Sequence, residues 1–432
     1  MNILQAGVGR AIITPKLGTL LMGYPNLRVS DNVLDNLTVT AIALQTDGVR
    51  SLILSITTAV IGNELTDTIR NAVSEATDYG IYEINICSWQ VHSAPLTQTT
   101  WGWGDTDWAY CNNILIPGCV NAAKAAVNDI GEVTVGVGTT QSDVGCNRRE
   151  LTEDGTVTLG QNPWGTYDPT MTAIRFLRDG KPYANIIHYG AHPTAIGDTN
   201  DITRDWPGVM VDRVESVVGG MTLYINGAVG DVGPRPSEGV TAHTGIEGMR
   251  EVGYRAAADA VRVCKSIIQF HPVELEVLVE DIKIARKPLP NKETAQEMIQ
   301  QAEKLRGDCT GPAEANYQYW KSVLDQYENG FSTAAHKFCQ TITRIGNVAI
   351  VPFPGEPFAE IVLRLRRHSP IQHTLSTSTS NGSIGYIVTQ DALTRGGYEV
   401  DSCRSYSPYL LADNIDDVLV AENLRLLRKL KA

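Results

Sequence analysis

No run of about 18 or more apolar residues occurs in the chain, so no segment reads as a membrane-crossing helix. Positive charge is in the minority: 36 lysines and arginines stand against 48 aspartates and glutamates, a net charge of −12. An acidic surface repels phosphate backbones, which argues against a nucleic-acid partner. No two cysteines have C-x-x-C spacing, and the eight present are scattered without a zinc-finger pattern. The opening, Met1 to Arg10, lacks the basic start and apolar stretch of a secretory leader. Reduced thiols in a cytoplasmic protein are therefore expected. No Pro- or Ser-rich linker and no sequence repeat divides the 432 residues. One continuous unit over residues 1–432 follows.

What is present alternates short apolar runs with turn clusters. Val39–Leu44, Ser51–Thr57 and Ile84–Ser88 read as buried strands, and Glu64–Glu75 and Trp108–Val127 as helices. Glu247–Phe270 carries an apolar stripe at helical spacing, and Val273–Lys287 alternates like a strand. The pattern predicts an α/β (mixed α+β) fold, with central mixed sheets flanked by helices. Asn291–Asn329 is rich in Glu, Gln, Lys and Ala around Gly311-Pro312. It reads as a helical hairpin insertion, either a plain surface addition or a cover over a site. The basic end, Asn423 to Ala432, reads as a terminal helix docked on the core, with contact to an anionic membrane as the alternative.

Five segments place unusual polar residues beside turns. His92 stands where a strand runs into Ser93-Ala94-Pro95. His188 and His192, four apart before Pro193, would share one strand face, with His192 at its end. Asp231 lies in the glycine-rich turn Gly227 to Pro234, whose amides form a potential anion nest. Glu356 is held between prolines ahead of a helix at Ala359–Arg367. Tyr386 and Tyr398 close the series. Each alone reads equally well as packing or capping. Their order and spacing together do not.

From Ala6 to Tyr398 the chain resembles the catalytic domain of the neutral/alkaline ceramidases. The resemblance rests on Ala6 to Pro15 with Gly23-Tyr24, His92-Ser93-Ala94-Pro95, Asn147-Arg148, His192-Pro193-Thr194, Gly230-Asp231-Val232 with Pro234, Pro354-Gly355-Glu356, and Gly385-Tyr386 with Tyr398. It implies an amidohydrolase with one zinc ion held by two histidines, a glutamate and a tyrosine. Carried over, the second histidine ligand falls on His192, the glutamate on Glu356 and the tyrosine on Tyr386. Arg148 and Tyr398 would contact the substrate.

Two positions depart from that pattern. Gln90 stands where the family has its first histidine ligand, so either His92 takes over or Gln90 ligates weakly. Gly233 stands where the family has its serine nucleophile, which removes covalent catalysis and leaves attack by a water activated on the metal. The family's C-terminal immunoglobulin-like module is also not found. The site expected has His92, Arg148, Asp231 and Tyr398 as catalytic groups. Gln90, Arg148, Gly233 and Trp101 would contact substrate, and His92, His192, Glu356 and Tyr386 would hold zinc. Trp101, in the aromatic loop Trp101 to Trp108, would line an apolar mouth. The partner is a small-molecule substrate, not necessarily ceramide, and no oligomeric state is implied. The expected function is zinc-dependent hydrolysis of an N-acyl or other amide bond. The alternatives are a metal-independent acid–base enzyme (cyclase, isomerase or acyl transferase) of small-molecule biosynthesis, and a non-catalytic binding protein.

Overall fold

The structure is a computed structural model that describes residues 3–237, 244–307, 310–330 and 332–431. Three mixed sheets dominate it. The first has five strands in the order Ile84–Ser88, Val49–Ile56, Thr38–Thr46, Gln5–Ile12, Gly131–Glu132. The second orders Met221–Asn226, Lys181–Tyr189, Thr170–Arg178, Thr134–Gln141, and the third Leu275–Ile284, His336–Ile345, Val348–Pro352, His373–Thr377.

A single topological unit recurs in all three. An antiparallel hairpin with a two-residue turn is followed by a helix, which returns the chain to a parallel edge strand. Thr38–Thr46 and Val49–Ile56 cross through the helix Asn63–Thr77 to Ile84–Ser88. Thr170–Arg178 and Lys181–Tyr189 cross through Asp205–Val218 to Met221–Asn226. His336–Ile345 and Val348–Pro352 cross through Ala359–His368 to His373–Thr377. In the second unit the turn residues Asp179 and Gly180 both have positive φ, 51° and 72°. That matches the type I′ turn favoured between twisted strands.

The three sheets meet face to face. Ile42 and Ile53 from the first, Ile186 and Leu223 from the second, and Ile350 and Leu375 from the third share one buried apolar cluster. Polar cross-ties join the edge strands at their carboxyl ends. Asn226 Nδ2 donates to the Trp89 carbonyl at 2.7 Å, and Ser378 N to the Asn226 carbonyl at 2.9 Å. Ser88 N donates to the Thr379 carbonyl at 3.2 Å. Residues beyond the carboxyl ends of parallel strands converge here, the usual place for a site in such sheets. Helices cover the outer faces. Gly245–Ser266 and Asp205–Val218 pack into the core of the first two sheets, and Ile415–Lys431 packs on the third through Leu419, Leu426 and Leu427. No helix among the described residues is long and apolar enough to cross a membrane.

Three segments differ in detail from the pattern read in sequence. The run after Trp108 is helical as expected but is interrupted by a π-turn at Cys111–Leu115 before Ile116–Asn128. Pro117 has no N–H to return to the preceding turn, so the backbone widens there. The helix expected to Phe270 stops at Ser266, because the chain beyond it bridges in extended form at His271 to Val135. The strand expected over Val273–Lys287 spans Leu275–Ile284. The hairpin insertion comprises Lys292–Leu305 and Gly311–Asn329; residues 308 and 309 of its turn, and Ala432 of the tail, lie outside the described residues.

Candidate active site

The chain leaves its strand at Tyr189, so His188 and His192 do not share a strand face. Tyr189 O accepts from Gly227 N, which ends the ladder there. His188 Nε2 lies 2.8 Å from the Ser376 carbonyl, in a small void beside Asp168 and Arg366. His192 continues to the carboxyl end of the sheet, where its own N–H donates to the Val232 carbonyl at 3.0 Å. Its Nδ1 lies 3.2 Å from the same oxygen. A carbonyl only accepts, so Nδ1 carries the proton and Nε2 presents a bare lone pair.

That lone pair faces Glu356 Oε2 at 3.2 Å. Glu356 and Tyr386 lie side by side in a short parallel pair, which turns both side chains toward the same chamber. The His192–Glu356 contact has the spacing of an ion pair only if the imidazole is protonated. Burial disfavours that proton and the Arg148 guanidinium repels it, which together outweigh the pull of Glu356 and hold the His192 pKa below its usual value. Two acceptors therefore oppose each other in a buried site, and neither meets a hydrogen-bond donor among the described residues. Such a contact is costly unless a proton or a metal ion lies between them.

Two more acceptors beside them are also undonated. Gln90 Oε1 is buried without a partner, and Gln90 adopts φ +68°, a left-handed conformation rare for a residue with a side chain. His92 is partly buried, its Nδ1 is enclosed without a partner, and its ring meets that of His192 edge-on at 5.6 Å between centroids. Burial, with His192, Arg28 and Arg148 adding repulsion, pushes its pKa well down, so it is neutral. Gly23 explains why the Gly23-Tyr24 motif belongs to this site. At φ +111°, a Cβ there would lie 2.3 Å from His92 Cγ, so only glycine leaves room for the ring.

Arg148 organises the far wall. Its Nη2 donates to Tyr386 Oη at 3.0 Å and to the Gly230 carbonyl at 2.8 Å, and its Nε to Glu399 Oε1 at 3.0 Å. Arg149 Nη1 grips the second Glu399 oxygen at 2.6 Å. Burial works against the Arg148 charge, but Tyr386, Glu399 and Glu356 overcome it and its pKa is raised. The Tyr386 hydroxyl is pushed well up by burial and by Glu356, with Arg148 opposing. Tyr398 packs edge-on against Tyr386 at 6.1 Å.

Gln90, His92, Glu356, Tyr386 and Tyr398 line one chamber of about 30 Å³, room for a water or two. Among the expected residues, Asp231, Gly233 and Trp101 are not in its lining, and His192 and Arg148 stand behind it, reaching it through Glu356 and Tyr386. Asp231 Oδ1 accepts from Ala359 N at 2.8 Å and Oδ2 from Asn147 Nδ2 at 3.1 Å. It thus ties the glycine-rich turn to the helix after Glu356, and it borders a different pocket. Gly233 pairs with Cys146 in a short strand directly after Val232. Trp101 turns outward into the apolar cluster of the hairpin, with Tyr319 and Trp320. Trp103, Thr100 and Tyr406 line the chamber instead. The loop is fastened from outside: Gly311 N of the hairpin donates to the Gly102 carbonyl at 2.6 Å, and Trp101 N to the Ser405 carbonyl at 3.0 Å. The hairpin is thus docked over the loop that closes the chamber, rather than being a plain surface addition.

A zinc ion tests well against part of this donor set. Ligands at about 2.0–2.1 Å in a tetrahedron stand about 3.3 Å apart, close to the 3.2 Å between His192 Nε2 and Glu356 Oε2. Among the described residues, however, no three His, Cys, Asp or Glu side chains cluster as a metal site. Any further ligands must come from Tyr386 and from Gln90 or His92.

The fold is that of the neutral ceramidases. The crystal structure of neutral ceramidase from Pseudomonas aeruginosa superposes with a TM-score of 0.75 at 15% identity, covering 100% of this chain and 75% of that one. A ceramidase complexed with C2 gives 0.73 at 16% identity, covering 100% and 76%. No family model and no curated protein matches the sequence.

Proposed function

We propose that this protein hydrolyses an N-acyl or related amide bond in a small molecule, with zinc at the His192–Glu356 centre. The observation that carries the proposal is the pair of opposed acceptors, buried and without a donor, at the shared carboxyl ends of three parallel strand pairs. His192 Nε2 and Glu356 Oε2 would hold the ion, with Tyr386 and either Gln90 or His92 completing its shell. Zinc so held would polarise the amide carbonyl and lower the pKa of a water to about 7. Where Gln90 fills the shell, His92, neutral and with Nδ1 unpartnered, would be free to accept a proton from the attacking water. Arg148 fixes the Tyr386 hydroxyl, and Tyr398 beside it contacts the scissile group. Gly233 offers no hydroxyl at the family's serine position, so the reaction runs without a covalent acyl intermediate on that residue. The likeness to ceramidases supports the amide class; the small chamber supports a reacting group that enters without bulk around it.

The test is metal content together with turnover of an N-acyl amide panel. About one zinc per chain, activity lost to chelator and restored by zinc, and both lost in His192→Ala are expected. The missing third histidine, cysteine or carboxylate at the centre favours one other reading: a metal-independent acid–base enzyme working through Tyr386, His92 and Glu356. Turnover by metal-free protein, indifferent to chelator, would select it and overturn the zinc reading.

A further inference from the structure

On the other side of Tyr386 and Tyr406 lies a larger pocket of about 280 Å³ that the proposed chemistry does not use. The two tyrosines line both cavities, so they form a common wall. Much of the larger pocket is apolar: Ile384, Val388, Leu393, Val400, Leu411 and Ile415 face it. A ligand filling that space has on the order of ten non-hydrogen atoms, since about 280 Å³ holds about nine waters at roughly 30 Å³ each.

Its charged groups are unevenly matched. Lys287 is paired with Asp413, and His336 Nδ1 is 3.0 Å from Tyr409 Oη. Arg404 lacks such a match. Its Nε is buried without a hydrogen-bond partner, and its guanidinium carbon lies 5.8 Å from the centre of the Tyr319 ring on the hairpin. Among the described residues no carboxylate pairs with it. Ser383 Oγ, also in the lining, is likewise buried without a partner. An unpaired cation and an unpartnered hydroxyl, in a cavity whose other charged groups are already matched and whose remaining wall is largely apolar, suit a single negative charge carried on an apolar body.

We propose that this pocket binds a small amphipathic monocarboxylate. Its carboxylate sits on Arg404 and Ser383, and its alkyl or aryl body lies against Val388, Leu393, Val400 and Leu411. Binding here is separate from the metal centre and does not depend on the amidase reading.

Calorimetric titration with octanoate tests it, with octanamide as the uncharged match. One octanoate per chain is expected. Arg404→Met should weaken octanoate at least tenfold and leave octanamide within twofold, while Arg404→Lys should fall between wild type and Arg404→Met. A carboxylate could also seek a metal, so the titration is repeated on Glu356→Gln in chelator. Unchanged octanoate affinity there places the acid in this pocket, and loss there places it on the metal centre and overturns the proposal. Equal octanoate binding by wild type and Arg404→Met, or no binding by folded wild type, overturns it as well.

Discussion

Glu356→Gln should stabilise the metal-free protein and lose that advantage with zinc. In metal-free protein, wild type holds two buried acceptors, His192 Nε2 and Glu356 Oε2, 3.2 Å apart without a donor. Glutamine supplies an N–H to the imidazole lone pair at nearly the same shape. Relief of an undonated buried acceptor is worth about 1–3 kcal/mol. For 432 residues the unfolding entropy is about 0.9 kcal/mol/K, at about 2.1 cal/mol/K per residue. The variant should therefore melt about 1–3 °C above wild type in chelator. With zinc at about one hundred times its Kd, wild type gains about 2.7 kcal/mol, or about 3 °C. The variant, having lost the anionic ligand, gains little, so wild type draws level with it or passes it by up to about 2 °C. Differential scanning calorimetry in chelator and in zinc reads both arms. A variant that melts below wild type in chelator, or that zinc stabilises as much as wild type, refutes the reasoning.

Other outcomes follow from single contacts. Gly23→Ala combines a disallowed φ of +111° with a Cβ 2.3 Å from the His92 ring; strain and overpacking should cost about 2–5 kcal/mol, and the variant should lose metal affinity, read by calorimetry. Asp231 has its pKa raised to about 7 by burial, with Glu399 adding to it and the Ala359 amide opposing. A raised folded pKa means that its stabilising share is full below about pH 4 and is lost as pH rises through 7. Melting of wild type should thus weaken by about 4 kcal/mol more than that of Asp231→Asn between pH 4 and 8; parallel slopes for the two would contradict this. Gly102→Val would drive a side chain into the Gly311 carbonyl, 2.1 Å from a Cβ there at φ +84°. The hairpin should lift, with faster proteolysis inside residues 292–329 and unchanged core hydrogen exchange.

The strand ends that carry the candidate site residues were legible because their motifs follow one another in order, each beside a turn. His192, Glu356, Tyr386, Gln90 and His92 do come together, and the fold expected from the alternation of runs is the one observed. What was not legible depends on long-range geometry. Arg148 meets Glu399 across 251 positions, and nothing local to either announces the partner. Whether Trp101 or Trp103 faces inward is decided by the left-handed Gly102 between them and by the hairpin docked outside. Asp231 looked like a site residue because its turn is rich in glycine, yet its carboxylate is spent on Ala359 and Asn147. The threefold hairpin–helix–strand unit is invisible as a repeat because it is conserved in chain path and not in residues.

That threefold construction makes the centre a gauge of the whole molecule. Each unit lends one part, Gln90 and His92 from the first, His192 from the second, Glu356 and Tyr386 from the third, and they lie roughly one hundred or more residues apart. No single unit holds the set. A cation bound there recognises only the fully assembled protein, so its occupancy would rise and fall with global folding. Late closure of such distant contacts also means that the nascent chain would capture metal only after the third unit has emerged.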